Sequence, residues 1–331
     1  MKGMLMKMKR IVFNGFRHVH IDGLYKAVCS CPGIQTVGCY EPDKMARESA
    51  ATRLGAEISS GGFEQMLNVA DIVAIGGRYG ERGEAVIQAL KAGKHVIADK
   101  PICTSLYQLS EIKRLSEEKQ LSVMCMLDLR YTPNAVVAKK LLESGELGEI
   151  RNVSFNGQHC LDYGKRPEWY FEEGMHGGTV NDLAIHGVDL VRMLTGMDFI
   201  HADAVRTWNS YAVKTPDFKD CAMLMARLEN GAGVMADISY SAPKSAFTLP
   251  SYWEFRFWCA DGMLEFNYAT PGVRVYREGE SKGVTVFGEK PTGSWLSDLL
   301  SEIDGEYGCF TREVLESARQ TLWLQAQAEK C

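Results

Sequence analysis

The chain has 331 residues, with 46% hydrophobic and 24% charged side chains, proportions that exclude a mainly disordered or collagen-like chain and leave room for roughly two domains. Thirty-seven Lys and Arg against 42 Asp and Glu give a net charge of -5, the wrong sign for neutralising phosphates, so neither nucleic acid nor an anionic membrane is an expected partner. No apolar run approaches the ~18–20 residues of a membrane helix. The basic start MKGMLMKMKR lacks the apolar core of a signal peptide, and ten cysteines scattered singly read as reduced thiols in a cytoplasmic protein.

From Arg10 to Leu127 short β-branched runs alternate with helical stretches. Strands are expected at 11–13, 36–40, 71–75, 95–98 and 121–127, and helices up to Lys26, over 43–55, up to about Gly93 and over 106–119. Strands apolar on both faces and separated by helices predict an α/β fold with a doubly wound parallel sheet of the nucleotide-binding type over residues 1–127. After Arg130 the pattern changes to a helix opened by Pro133 and capped near Gly145, a strand at 149–158, a loop from Tyr163 to Gly178 and a helix over 179–195. Residues 200–287 read as strands throughout, with Asn230-Gly231 favouring a type I′ hairpin turn, and 311–329 as an amphipathic helix. Residues 128–331 are therefore expected to form a second, α+β domain on a mainly antiparallel sheet.

The loop Phe13-Asn14-Gly15-Phe16-Arg17-His18 stands where a dinucleotide-binding fold places three glycines, and only Gly15 is present, with Phe13 and His18 in the outer positions. Phe16 opens the helix start that attracts phosphate, where Arg17 and His18 add charge and donors; a tight turn without ligand is the alternative. Glu41, ending the second strand, can accept both hydroxyls of an adenosine ribose, which favours NAD over NADP, although Lys44 and Arg47 soften that preference. The bland reading of Glu41 is a solvated strand-end acid. Gly76-Gly77-Arg78 supplies a third point of backbone approach at the same edge.

Lys100, beside Pro101 at the end of strand 95–98, is placed close to where a nicotinamide would lie, or is a solvated surface charge. Asp182 and His186 stand at i and i+4 among Leu183, Ile185, Val188 and Leu190, as chemical groups or as a buried structural pair.

Val96-Ile97-Ala98-Asp99-Lys100-Pro101 and the stretch Gly177 to Asp189 resemble the two signature segments of the glucose-fructose oxidoreductase / inositol dehydrogenase family, also called Gfo/Idh/MocA. The likeness extends to Ala92-Gly93-Lys94-His95, Leu129-Arg130-Tyr131-Thr132-Pro133 and Ser144 to Ile150, and so covers nearly the whole chain. It implies an N-terminal Rossmann domain, a C-terminal domain with a large open sheet, and NAD(P)-dependent chemistry on sugars or cyclitols. Carried over by position, Lys100, Asp182 and His186 are the catalytic set: His186 takes the substrate proton, Lys100 steadies the alkoxide and Asp182 orients or binds a neighbouring hydroxyl. The departures are the reduced glycine motif and Gly77-Arg78-Tyr79-Gly80-Glu81-Arg82, where members commonly have Thr-Pro and a histidine in the place of Arg82.

Tyr163, Arg166 and Trp169 can cover a polyol, together with Arg130, although Trp169 reads equally well as core. Cys29, Cys31, His159 and Cys160 lack metal-ligand spacing, and no structural metal is expected. Three functions follow: a sugar or cyclitol dehydrogenase, a glycoside hydrolase of the same fold that oxidises its substrate transiently, or a cofactor-binding regulatory protein. Apolar residues on both faces of strands near Phe255, Phe257 and Trp258 predict a homodimer or homotetramer formed through the open sheet.

Overall fold

Short β-branched runs separated by helices fold, in this computed structural model, into a five-stranded sheet in which every pairing is parallel. The structure describes residues 8–288 and 290–328; most of the basic N-terminal run, and Glu329 at the expected end of the last helix, lie outside them. The first elements are β1 (Lys9–Asn14), α1 (His20–Cys29), β2 (Ile34–Tyr40), α2 (Lys44–Leu54), α3 (Phe63–Val69), β3 (Ile72–Ile75), α4 (Tyr79–Lys91), β4 (His95–Ala98), α5 (Leu106–Lys119) and β5 (Val123–Cys125). The strands run β2-β1-β3-β4-β5, and Ile11 to Phe13, Ile72 to Ile75 and Val96 to Ala98 are at most 1% exposed, as a sheet covered on both faces requires.

Beyond β2 a further strand is reduced to one parallel bridge between Tyr40 and Ser59, closed by the Glu41 N–H to the Ser59 carbonyl at 2.9 Å and the Ser59 N–H to the Cys39 carbonyl at 2.8 Å. With that remnant the order is that of a doubly wound dinucleotide-binding sheet, whose winding reverses between β1 and β3. Helix α3 was not expected: seven residues are too few to show a period.

The second unit holds α6 (Pro133–Glu143), β6 (Ile150–Gln158), α7 (Ile185–Thr195), β7 (Phe199–Trp208), β8 (Cys221–Leu228), β9 (Gly233–Ser239), β10 (Phe255–Cys259), β11 (Gly262–Phe266), β12 (Val273–Arg277) and β13 (Val284–Val286). Its sheet has the order β13-β12-β11-β10-β6-β9-β8-β7 and is antiparallel except where β6 meets β9. A short 3-10 turn, Lys244–Thr248, interrupts the expected run of strands. Asn230-Gly231 does join β8 to β9, but only Gly231 has positive φ. The Leu228 N–H reaches the Ala232 carbonyl across a three-residue loop, so a type I turn with a glycine bulge replaces the expected type I′ turn.

The domain boundary also needs correction, because helix α8 (Trp295–Asp304) and the start of α9 (Cys309–Ala328) belong to the first unit. That unit comprises the described residues up to Met126 and Trp295–Leu315; the second comprises Leu127–Ser294 and the described residues from Glu316 onward. Lys9 pairs with Asp304 at 2.5 Å, and the Thr311 hydroxyl accepts the Val123 N–H at 2.9 Å. An amphipathic helix carries no mark in its period of which sheet it covers, so this return was not legible.

Helix α7 lies against the inner face of the second sheet, over Phe155. A Cβ on Gly187 would stand 2.1 Å from the Phe155 ring, so the helix approaches only because residue 187 has no side chain. Phe155, Phe255 and Phe266 stack in succession with centroids 5.7 and 5.3 Å apart, which leaves the ring little room to give. Gly187→Ala is therefore expected to lower stability by roughly 1–3 kcal/mol, overpacking outweighing the ~1 kcal/mol gain in helix propensity. A denaturant midpoint equal to or above that of the unaltered protein contradicts this packing.

Candidate functional site

At the carboxyl edge of the parallel sheet, the turn after β1 meets the turn after β3 backbone to backbone. Gly15 has φ +89°, and a Cβ there would lie 2.6 Å from the Gly77 nitrogen, so glycine is required. The Gly15 N–H donates to the Tyr40 carbonyl at 2.8 Å and the Arg17 N–H to the Gly76 carbonyl at 2.9 Å, which brings Gly15, Glu41 and Gly77 to one edge. Glu41 is no solvated acid: it is 1% exposed and accepts the Phe16 and Asp43 N–H groups at 2.8 and 2.9 Å. A carboxylate offers about four lone pairs, so it keeps capacity for ribose hydroxyls, and its charge opposes a 2′-phosphate. Arg17 lies 3.6 Å from Glu41 and 3.4 Å from Asp43, Arg47 donates to the Glu41 and Pro42 carbonyls, and Arg78 pairs with Glu81. These residues fit the adenosine side of a dinucleotide: a buried acid, a backbone-to-backbone glycine contact and three arginines at one sheet edge.

A second cluster was not anticipated. Asp99, wholly buried, receives His18 Nδ1 at 2.8 Å, His20 Nδ1 at 3.1 Å and the Arg82 guanidinium at 2.8 Å. Arg82, also wholly buried, donates to the carbonyls of Gly77 at 2.9 Å and Lys100 at 2.5 Å, so it ties the turn after β3 to the turn after β4. The sequence marked Arg82 as a departure from the family pattern and Asp99 only as a member of the lysine motif; a motif comparison cannot show that the two are partners. His18, expected at a phosphate, is turned to Asp99 instead. Three ligand atoms of His18, His20 and Asp99 lie within 4.8 Å of one another, but the Arg82 cation already neutralises that carboxylate. Lys100 follows, 3% exposed, so it is not a solvated surface charge.

Burial pulls the His18 imidazole down to about 4 from 6.5, against the attraction of Asp99. Burial would raise Asp99, but Arg82 and the two histidines hold its carboxyl well below the usual carboxylate range. For His18 the folded pKa lies below the unfolded one, so the unfolded chain binds more protons between pH 6.5 and 4, and the stability present above that window is lost as pH falls through it. The loss is expected to be roughly 3 kcal/mol, and His18→Gln should remove it from the pH dependence. Urea titrations at pH 7 and pH 4.5 test this; equal pH dependence in the two proteins contradicts it.

In the second unit Asp182 falls in a π-helical stretch, Val180–Ala184, that leads directly into α7, a widened turn of the kind that re-aims side chains at functional sites. The Val180 and Asn181 N–H groups both reach Gln325 Oε1 from α9, at 3.0 and 3.2 Å. Asp182 and His186 are 1% and 6% exposed. Asp182 Oδ2 accepts the Tyr170 hydroxyl at 2.9 Å and the Tyr240 hydroxyl, with His176 Nε2 3.5 Å away; His186 stands edge-on to Trp253, centroids 5.5 Å apart. Tyr170, His176 and Tyr240 were missed, because an aromatic residue in a loop or at a strand end carries no periodic signal.

The remaining candidates separate. Arg130 grips Asp189 through two hydrogen bonds, and Asp189 also accepts the Ser317 hydroxyl at 2.7 Å. Arg166 donates to the Leu161 and Cys160 carbonyls at 3.0 and 3.1 Å and lies over the Tyr170 ring, while Trp169 is 3% exposed in the core. Both arginines, expected at substrate, are thus engaged by the protein, and Trp169 takes the core reading. Tyr163 packs against Phe171 and Tyr211 with its hydroxyl 3.4 Å from that of Thr215.

Comparison with known proteins agrees with this division. The levoglucosan dehydrogenase of Pseudarthrobacter phenanthrenivorans is 29% identical over 246 residues, 66% of this chain and 61% of that protein. The glucose-6-phosphate 3-dehydrogenase of Bacillus subtilis is 24% identical over 312 residues, 90% and 85% of the two chains. This chain thus spans less than two thirds of the first relative and most of the second. A solved levoglucosan dehydrogenase in complex with NADH superposes with a TM-score of 0.80 at 21% identity, over 97% of each chain, which speaks for the fold. Residues 14–127 match the oxidoreductase family model with an NAD-binding Rossmann fold, and residues 136–265 match the C-terminal domain model of the same family. One model falls on the parallel sheet with Gly15 and Lys100, the other on the open sheet with Asp182 and His186, and the chain belongs to the Gfo/Idh/MocA oxidoreductase family.

Proposed function

We propose that the protein is an NAD(P)-dependent dehydrogenase or reductase that exchanges hydride between the CH–OH carbon of a sugar, cyclitol or related hydroxy compound and nicotinamide. The observation that carries the reading is the burial of Asp182 and His186 among Leu183, Ile185, Val188 and Leu190, in a chain whose other unit is an NAD-binding Rossmann domain. Polar groups in such surroundings are costly unless satisfied or used. His186 takes the hydroxyl proton, the role of general base that an imidazole can fill. Lys100 steadies the alkoxide as charge develops, and Asp182 orients the imidazole or holds a neighbouring hydroxyl. A bound nicotinamide supplies the hydride acceptor. Gly15, Phe16, Arg17, Gly77 and Arg78 hold the dinucleotide, and Glu41 its adenosine ribose, with NAD preferred over NADP. The printed activities of the relatives, on levoglucosan and glucose 6-phosphate, support a polyhydroxylated substrate. Tyr163 is the residue of the aromatic loop retained for substrate contact. Among the described residues no helix is long and apolar enough to cross a membrane. The nine described cysteines, all thiols, support a reducing, cytoplasmic location.

With NAD+ or NADP+ and levoglucosan, glucose 6-phosphate or inositol as probes, reduced cofactor is expected to accumulate. Lys100→Met and His186→Ala should each slow the rate by about 10²–10⁴-fold in folded protein. Unchanged turnover in both variants sinks these assignments. Cleavage of an aryl glycoside without net reduced cofactor would transfer the reading to the transient-oxidation hydrolase.

The outer face of the open sheet carries Met223, Met225, Met235 and Trp258, each at least half exposed, with Met225 directly opposite Met235. This apolar face supports a homodimer or homotetramer formed through it. Light scattering at micromolar concentration is expected to give a multiple of the chain mass, and Met225→Lys to shift it toward the monomer; a monomeric unaltered protein contradicts the reading.

A further inference from the structure

Asp182 is held at one oxygen by three side chains from three separate parts of the second unit. Tyr170 comes from the 3-10 turn Glu168–Phe171, His176 from the loop after it, and Tyr240 from the residue following β9. All three are buried, at 2%, 7% and 1% exposure. Both phenols donate to Oδ2, and their oxygens lie 3.2 Å apart. Because the Tyr240 proton points to the carboxylate, its oxygen is left as an acceptor, and His176 Nε2 stands 2.8 Å from it. The donor order is thus imidazole to phenol to carboxylate. Phe218 closes the cluster, 4.8 Å centroid to centroid from His176 and 5.5 Å from Tyr240.

Two hydroxyl donors converging on one oxygen fix the plane of the carboxylate, which sets the direction of Oδ1. We propose that Tyr170 and Tyr240 are positioning residues for Asp182, with His176 holding the Tyr240 proton toward the carboxylate, so that Asp182 stays ionised and aimed through the reaction. The inference rests on the assignment of Asp182 to the chemistry. Hydrogen bonds donated to the charged form of a carboxyl favour that form, so removing a donor raises its pKa, whereas a residue that merely fills space does not.

The test uses full-length protein labelled with [4-13C]aspartate, with the Asp182 signal identified by its loss in Asp182→Asn, and compares Tyr170→Phe and Tyr240→Phe with the unaltered protein. Each phenylalanine keeps the ring and removes only the donor. The midpoint of the Asp182 titration is expected to rise by roughly one pH unit in either variant. The acidic limb of kcat/KM should move with it, and kcat should fall about tenfold or more while KM changes little. His176→Gln, which retains a donor, should keep more of the rate than His176→Phe. Midpoints and acidic limbs unmoved in both folded tyrosine variants overturn the inference and leave the assignment of Asp182 standing. Asp182→Asn with full turnover overturns both.

Discussion

A buried carboxylate must be met by donors or cations; among the described residues five acids are at most 1% exposed, and four of them, Glu41, Asp99, Asp182 and Asp189, lie in the segments that carry the candidate site. Each is met differently. Glu41 takes two backbone N–H groups, Asp99 a guanidinium and two imidazoles, Asp182 two phenols, and Asp189 the fork of Arg130 with the Ser317 hydroxyl. These obligations join segments that the sheets alone do not join. Glu41 fixes the turn of Gly15 to the end of β2, Asp99 fixes that turn's histidines to β4, and Asp189 fixes α7 to the loop that opens the second unit.

The same constraint decides which polar residues are available for chemistry. Arg130 and Arg166 carry the charge a sugar site can use, and Asp189 and two backbone carbonyls hold them in place. Lys100, Asp182 and His186 are buried in the two signature segments themselves, where a strand end and a widened helical turn set their direction. The Arg82–Asp99 pair stands at the point where Arg82 departs from the family pattern. Arg82 reaches the Gly77 and Lys100 carbonyls and so ties the turn after β3 to the turn after β4.

Much of the fold was legible because its signals are periodic. Both-sided apolar runs such as Ile72 to Ile75 announce a parallel sheet, and the alternation over β8, with Leu224 buried between Met223 and Met225, announces an open one. What escaped lacks a period or depends on distant partners. Helix α3 is too short, the return of α8 to the first sheet leaves no trace in its own residues, and the π-turn at Asp182 is invisible to an i, i+4 count. Of the candidate site, Gly15, Glu41, Lys100 and the Asp182–His186 segment were picked out from motif spacing. Tyr240 was not, since nothing local distinguishes it from any tyrosine at a strand end until the loop bearing Tyr170 and His176 is folded over it.

Hydride exchange with a polyol carbon is the centre of this account, and isotope transfer tests it most directly. A polyol that reduces the cofactor is synthesised with deuterium on the oxidised carbon and incubated with the enzyme and NAD+, and the cofactor is recovered for mass spectrometry. The account predicts reduced nicotinamide one mass unit heavier, in amounts equal to the ketone formed, and about a hundredfold less or lower in the same time with His186→Ala. Reduced cofactor without deuterium, or deuterium lost to water, contradicts it.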